Sequence, residues 1–261
     1  MKKGIRYLLI FICLLAAGIS IGFIALTLMN RQQNEQVYDE IRDQVKATVA
    51  ETQTAETEEI EETGPITSSD GTVIDFEALK AINPDVYAWI EIPDTKIDYP
   101  ILQSETDDSY YLNHTIDGTA GYPGSIYTES KNSKDFTDFN TLIYGHDMND
   151  GSMFKGLHDY EDPDFMAEHP YVYVYLPEGR LTYRIFAAVV YDDRHIMVAY
   201  DFDKEEDRQA FLDSLDTGDS RNVLDDSVEV TADDHMITLS TCIGDESNHR
   251  FIVGAVLVDE E

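Results

Sequence analysis

Much of the downstream part of the chain alternates apolar and polar residues with a period of two, or runs apolar for four to six residues between turn formers. Both patterns predict strands. Eight segments read this way: 87–92, 97–102, 125–128, 140–144, 171–176, 181–191, 236–242 and 250–258. Pro177-Glu178-Gly179 joins the fifth and sixth as a hairpin, and Pro100, with no N–H for a ladder, predicts an edge position for the second. Helical spacing is rarer. Phe76, Leu79, Ile82 and Val86 recur at that spacing behind Asp75 as cap, with a break at Asn83-Pro84. Residues 153–160 read as a short helix. Residues 204–215, with Phe211, Leu212 and Leu215 among charges, read as an amphipathic helix inserted between strands. Tyr110-Tyr111-Leu112 is expected to pack on the body. Eight strands and few helices predict a mainly β fold, a closed or nearly closed antiparallel structure with no internal repeat.

The upstream part follows different patterns. Lys2, Lys3 and Arg6 precede an uncharged run from Tyr7 to Met29. That length suits a hydrocarbon core about 30 Å thick. A signal peptide would be shorter and would end on small residues, whereas Ala16-Ala17-Gly18 sits mid-run, so residues 7–29 are expected to be an uncleaved transmembrane anchor. The basic flank predicts that residues 1–6 stay cytoplasmic and that the rest lies outside. Residues 30–72 are polar, and 51–63 read ETQTAETEEIEET. Such a stretch has little to bury, so a solvated extracellular linker, partly helical at most, is expected there. The ordered domain then spans 73–261.

Charge and cysteine usage narrow the function. The 261 residues carry 52 acidic against 18 basic side chains, a formal net charge of −34. A surface so acidic repels phosphate backbones and sets nucleic-acid binding aside. Of the two cysteines, Cys13 falls within the apolar run and reads as a lipid-facing hydrophobe. Cys242 is then the one thiol of the polar part, without an intrachain partner, and an unpaired thiol outside the cell points toward reactivity.

Candidate chemistry gathers at strand ends. Cys242 closes the strand 236–242, the polar stretch 243–248 forms a loop, and Arg250 opens the last strand. A thiolate is a strong nucleophile, and a guanidinium stabilises a thiolate or an oxyanion. The competing reading of these two residues is a buried structural cysteine beside a surface arginine. Among seven histidines, His114, His158, His169, His195, His235 and His249 sit in turn or exposed contexts, whereas His146 ends a strand after Gly145. Neighbouring strand ends of a small barrel open on one rim, where Cys, His and Arg would supply a nucleophile, a proton carrier and an oxyanion partner. Asp147–Ser152 lacks calcium-loop spacing, since Gly151 falls fifth and His158 stands at the twelfth position, so it reads as a turn. Cys242 has no cysteine partner at zinc-ligand spacing, and no metal or other cofactor is expected.

Taken together, TLIYGHDMNDGSMF, then ITLSTC, then Arg250 eight positions after Cys242 resemble the sortases, most closely class B. The stretches NPDVYAWI at 83–90 and IDYP at 97–100 resemble the class B entry region, and residues 204–215 sit where class B members carry an extra helix. Tyr87-Ala88, where a glycine often precedes the tryptophan, and Ser125–Glu129, in place of a more usual Phe-Leu-Asp ending, depart from that pattern.

The resemblance implies an eight-stranded sortase-like β-barrel with an N-terminal helical segment and an inserted helix. It implies a membrane-anchored cysteine transpeptidase on a Gram-positive-type surface. Cys242 would attack the carbonyl of a Thr in the C-terminal sorting signal of a secreted protein and form a thioacyl intermediate. His146 would protonate the leaving amine and then deprotonate the incoming one, a peptidoglycan precursor or another amine acceptor. Arg250 would bind the oxyanion or hold the peptide, and Ser240 and Thr241 would line the substrate pocket. Class B signals begin Asn-Pro or Ser/Pro-Pro. A barrel that binds without turnover, and a thiol peptidase that transfers to water, remain as alternatives.

Overall fold

The computed structural model describes residues 37–48 and 66–260 except Asp245, together with Ile12, Cys13, Gly18, Ser20 and Gly22. The first continuously described stretch opens with a helix over 37–45 (α1), followed by β1 (Lys46–Thr48), β2 (Thr72–Ile74), α2 (Phe76–Ile82), β3 (Val86–Glu91) and β4 (Asp98–Leu102). Next come β5 (Ile126–Thr128), β6 (Asn140–Tyr144), α3 (Pro163–Glu168), β7 (Tyr171–Leu176) and β8 (Gly179–Asp192). The chain ends with α4 (Ile196–Ala199), α5 (Glu205–Asp213), β9 (Val223–Leu224), β10 (Met236–Cys242) and β11 (His249–Glu260).

The eight predicted strands are the staves of one barrel. Their order is β11-β10-β6-β5-β4-β3-β7-β8, and β8 pairs with β11 to close it. Closure leaves these strands without a free edge. Six of the neighbouring pairs are antiparallel, but β4–β5 and β6–β10 run parallel, so the antiparallel expectation holds only in part. The parallel pairs arise because long connections, 103–125 and 145–235, carry the chain back before the partner strand begins. Pro100 also departs from expectation, since β4 lies between β3 and β5. Its neighbour β5 begins opposite Ile101, so the proline falls just before that ladder starts.

Alternation divides the side chains of β6, β8, β10 and β11 between two apolar layers. Ile143, Val190, Leu239 and Val253 point into the barrel with the fully buried Trp89, whose indole N–H donates to Asp98 Oδ1 at 2.7 Å. Leu142, Val189, Met236 and Ile252 point outward and are covered by Phe211 and Leu215 of the inserted helical region and by Ile196 of α4. The amphipathic helix expected at 204–215 is thus the lid of a second core. Asp75 caps α2 by accepting from the Ala78 N–H at 2.9 Å, and Asn83 ends it as extended backbone. The helix expected at 153–160 is a 3₁₀ segment, Phe154–Glu161, which Met153 enters at a φ of 54°.

Part of the expected linker belongs to the body. Tyr38, Ile41 and Val45 of α1 are buried, and the Tyr38 hydroxyl donates to the Gly124 carbonyl and meets Ser125 Oγ at 2.9 Å. These three form a narrow helical stripe diluted by Asp39, Glu40, Arg42 and Asp43, which is why the stretch looks solvated in sequence. Residues 49–65 and most of the expected anchor at 7–29 lie outside the described residues. Among those described, no helix is long and apolar enough to cross a membrane.

The outer core yields a stability prediction. Phe211 is fully buried in it. Phe211→Ala should lower unfolding free energy by about 3–5 kcal/mol, measured by urea denaturation.

Candidate active site

The outer face of the barrel is only partly covered. Near the ends of β6 and β10, Leu142, Ile252 and Ile196 of the outer core also border open space. A groove of about 400 Å³ opens there, lined by Leu142, Tyr144, Ser240, Cys242, Arg250, Ile252 and Tyr191 from alternate positions of four adjacent strands. His146, Leu112, Tyr127, Glu129 and residues 192–196 complete its walls.

Strand register places the thiol and the guanidinium. Cys242 and Arg250 are direct partners across the antiparallel β10–β11 pair. Side chains opposite one another in such a pair share a face, with Cβ atoms about 4.5–5.5 Å apart. The cysteine is exposed, so the buried structural reading of residue 242 does not hold. Arg250 Nη1 donates to the His249 carbonyl at 2.7 Å and to the Ser247 carbonyl at 3.2 Å, which ties the side chain to the loop after the cysteine.

His146 reaches the same groove from β6. Tyr144 pairs with Ser240, and the Gly145 N–H donates to the Ser240 carbonyl at 3.1 Å, so the chain leaves β6 still attached to β10. A Cβ on Gly145 would lie 2.5 Å from Ile126 Cδ1 and 2.7 Å from the Phe154 ring, and only glycine fits this bend. The imidazole then lies against the Tyr122 ring, centroids 4.9 Å apart, and Nε2–H donates to the Leu112 carbonyl at 2.6 Å. A carbonyl only accepts, so Nε2 carries the hydrogen and Nδ1 is the nitrogen through which a neutral His146 exchanges a proton.

The two remaining candidates differ in orientation. Ser240 shares the outer face with Cys242. Thr241 borders the groove, but alternation turns its side chain inward, where the hydroxyl is buried without a hydrogen-bond partner. Any contact it makes with a groove ligand runs through its backbone.

The far wall holds a pair that the sequence did not reveal. Glu129 Oε1 lies 3.0 Å from His195 Nε2, and the carboxylate is buried. Desolvation raises its pKa above the ordinary carboxylate value, and His195 offsets this only in part. Tyr127 and Tyr144 stack beside it at 5.4 Å, with hydroxyl pKa values raised by burial. His195 read as one more turn histidine because its partner is 66 positions upstream. His158 has an equally ordinary sequence context, yet its Nε2–H donates to the Cys242 carbonyl at 3.0 Å. Asp147–Ser152 folds as a turn closed by the Gly151 N–H on the Met148 carbonyl, and no cluster of metal-ligating side chains occurs among the described residues.

Three comparisons bear on this geometry. The family model described as "Sortase domain" matches residues 90–258. The chain is 38 % identical to sortase B of Listeria monocytogenes over 67 % of its length and 70 % of that protein's. With sortase B of Staphylococcus aureus it shares 31 % identity over 70 % of its length and 74 % of that protein's. Among solved structures, a Staphylococcus aureus sortase B–substrate complex superposes with a TM-score of 0.68 at 27 % identity, covering 88 % of this chain and 99 % of that one. Clostridium perfringens sortase B gives 0.63 at 28 % identity, over 71 % of this chain and all of that one.

The buried carboxylate gives a pH prediction. A raised carboxyl pKa means that the folded chain keeps a proton the unfolded chain has released. The Glu129 contribution to stability therefore falls as pH rises from about 4.5 through the raised value. Glu129→Gln removes that contribution. Melting temperature plotted against pH should decline less steeply across this window in the variant than in the parent chain, as read by differential scanning fluorimetry.

Proposed function

The chain belongs to the class B sortases and is by that membership a cysteine transpeptidase, and from this premise we propose which residues and substrates carry its reaction. Cys242 is the nucleophile. As thiolate it attacks the carbonyl carbon of a threonine in a C-terminal sorting signal. The tetrahedral oxyanion collapses to a thioester as the C–N bond breaks. His146, protonated on both nitrogens, gives its Nδ1 proton to the leaving amine while the Leu112 carbonyl holds Nε2. The now neutral Nδ1 takes a proton from the incoming amine, whose nitrogen attacks the thioester and releases the Cys242 thiolate. Arg250, on the same face as the thiolate, donates to the oxyanion or to the peptide. Ser240 lies on the groove face beside them and contacts the bound signal.

The observation that carries this reading is a single groove into which an exposed thiol, an imidazole of fixed tautomer and a guanidinium in register with the thiol all open. The similarity to Staphylococcus aureus sortase B solved as a substrate complex supports a substrate-binding barrel here. The acceptor is proposed to be a cell-wall amine. The uncharged run at 7–29 supports a single-pass anchor that holds residues 1–6 in the cytoplasm and the barrel outside.

Mass spectrometry after incubation with a library of threonine-containing signal peptides should detect a thioacyl adduct on Cys242. Cys242→Ala should lose the adduct and reduce cleavage by about 10³-fold or more while melting like the parent chain. Product analysis with and without added amine separates transfer to an amine from transfer to water. A barrel that binds without turnover would give neither adduct nor product, and full cleavage by Cys242→Ala would end the proposal.

A further inference from the structure

Behind the nucleophile, on the side away from the groove, a second set of side chains grips the turn that follows β10. His158, in the 3₁₀ segment, stacks on the buried ring of Phe251 with centroids 4.8 Å apart and planes 22° apart. Its Nε2–H donates to the Cys242 carbonyl at 3.0 Å, and its Nδ1 faces Glu161 Oε1 at 2.8 Å. A carbonyl and an ionised carboxylate both only accept, so in this arrangement both ring nitrogens donate. Asp147 lies on the other side of the same ring, with Oδ2 at 3.8 Å from Nε2, and accepts from the Gly244 N–H at 3.3 Å. Lys155 Nζ sits 3.1 Å from Asp147 Oδ1 as an ion pair without hydrogen-bond alignment. The His158 and Asp147 side chains are only 14 % and 9 % exposed, so these contacts are screened less than surface pairs.

Two features give the cluster a role in the reaction. Asp147 directly follows His146, and its segment is pinned by the Phe154 N–H on the His146 carbonyl at 2.9 Å. The bonds to the Cys242 carbonyl and the Gly244 N–H hold the backbone that leaves the nucleophile. The β10–β11 ladder ends at Cys242, so beyond it the backbone is held by local turns and by these side chains.

We propose that His158 and Asp147 are positioning residues: they clamp the backbone just after the thiol, at the Cys242 carbonyl and the Gly244 N–H, to the segment bearing His146 and so fix the sulfur relative to the imidazole. Neither side chain lines the groove, and neither is assigned contact with substrate. The inference rests on the reading of Cys242 and His146 as the reacting pair.

The test is the rate of alkylation of Cys242 by iodoacetamide at neutral pH, followed on the full chain by peptide mapping. The chains compared are the parent, His146→Ala, His158→Leu, His158→Gln and Asp147→Ala, each checked by thermal melting. The Gln amide restores a donor near the Nε2 position without the charge. His158→Leu and Asp147→Ala should slow alkylation by about two- to tenfold, the worth of one hydrogen bond, and His158→Gln should recover most of the loss. Parent rates in both His158→Leu and Asp147→Ala overturn the clamp. Equal slowing in the Leu and Gln variants also overturns it, because lost charge would then account for the effect. Should His158→Leu fail to fold, Asp147→Ala and His158→Gln decide by the same rates. An unchanged rate in His146→Ala overturns the reactive-pair reading and this inference together, whereas slowing there with parent rates in the clamp variants overturns the inference alone.

Discussion

The position of β11 constrains everything else in the molecule. It pairs along its length with both β10 and β8, so one strand closes the barrel and sets the register of its neighbours on each side. Register in a sheet is quantised, because a slip of one residue turns every side chain to the other face. Ile252, Val256 and Phe251, Val253 alternate between the outer and inner cores, and a slip would expose one set while forcing the other into the wrong layer. The burial of these apolar side chains thus fixes Arg250 opposite Cys242. The proposed catalytic geometry is a by-product of the hydrophobic pattern.

The outer face of the barrel serves two purposes along its length. Where Phe211, Leu215 and Ile196 cover it, it is core. Past the ends of these helices, the same alternation that supplies apolar side chains below supplies Tyr144, Ser240, Cys242 and Arg250 above. The inserted segment between β8 and β10 therefore decides where core ends and groove begins. Glu129 shows what the boundary costs. Its carboxylate, buried where the two zones meet, is desolvated and only partly offset by His195.

Much of this was legible in the sequence because much of it is local. Period-two alternation marks each stave within a handful of residues, and Tyr144-Gly145-His146 and Thr241-Cys242 carry their signal in consecutive positions. What escaped was non-local. Whether β5 returns parallel to β4 depends on the path of the loop between them, which no short window encodes. Pro100 marked an edge by the general rule, yet the short neighbour β5 lets it sit beside a ladder that has not begun. In α1 the buried stripe of Tyr38, Ile41 and Val45 is hidden among charges that face solvent. Glu129 and His195, or His158 and the Cys242 carbonyl, become partners only after the barrel closes. Their residue types are as common on solvated surfaces as in sites.

The two halves of the site are held by different kinds of bond, and this bears on how precisely they can meet. The strand that leads to Cys242 is placed by pairing with β6 and β11, which is shared over many hydrogen bonds and resists displacement. The imidazole is placed by the Tyr122 ring and by one hydrogen bond, to the Leu112 carbonyl, and the rigidity of this carbonyl has to come from its surroundings. Gly124, at a φ of 67°, approaches so closely that a Cβ there would lie 2.6 Å from the Leu112 oxygen, and the Ser125 N–H holds the Tyr111 carbonyl at 2.9 Å. The Tyr38 hydroxyl, from α1, in turn donates to the Gly124 carbonyl. A run of close contacts therefore leads from α1 to the ring proposed to move the proton. Helix α1, whose polar surroundings in sequence suggest a mere tether, is part of the scaffold that orients His146.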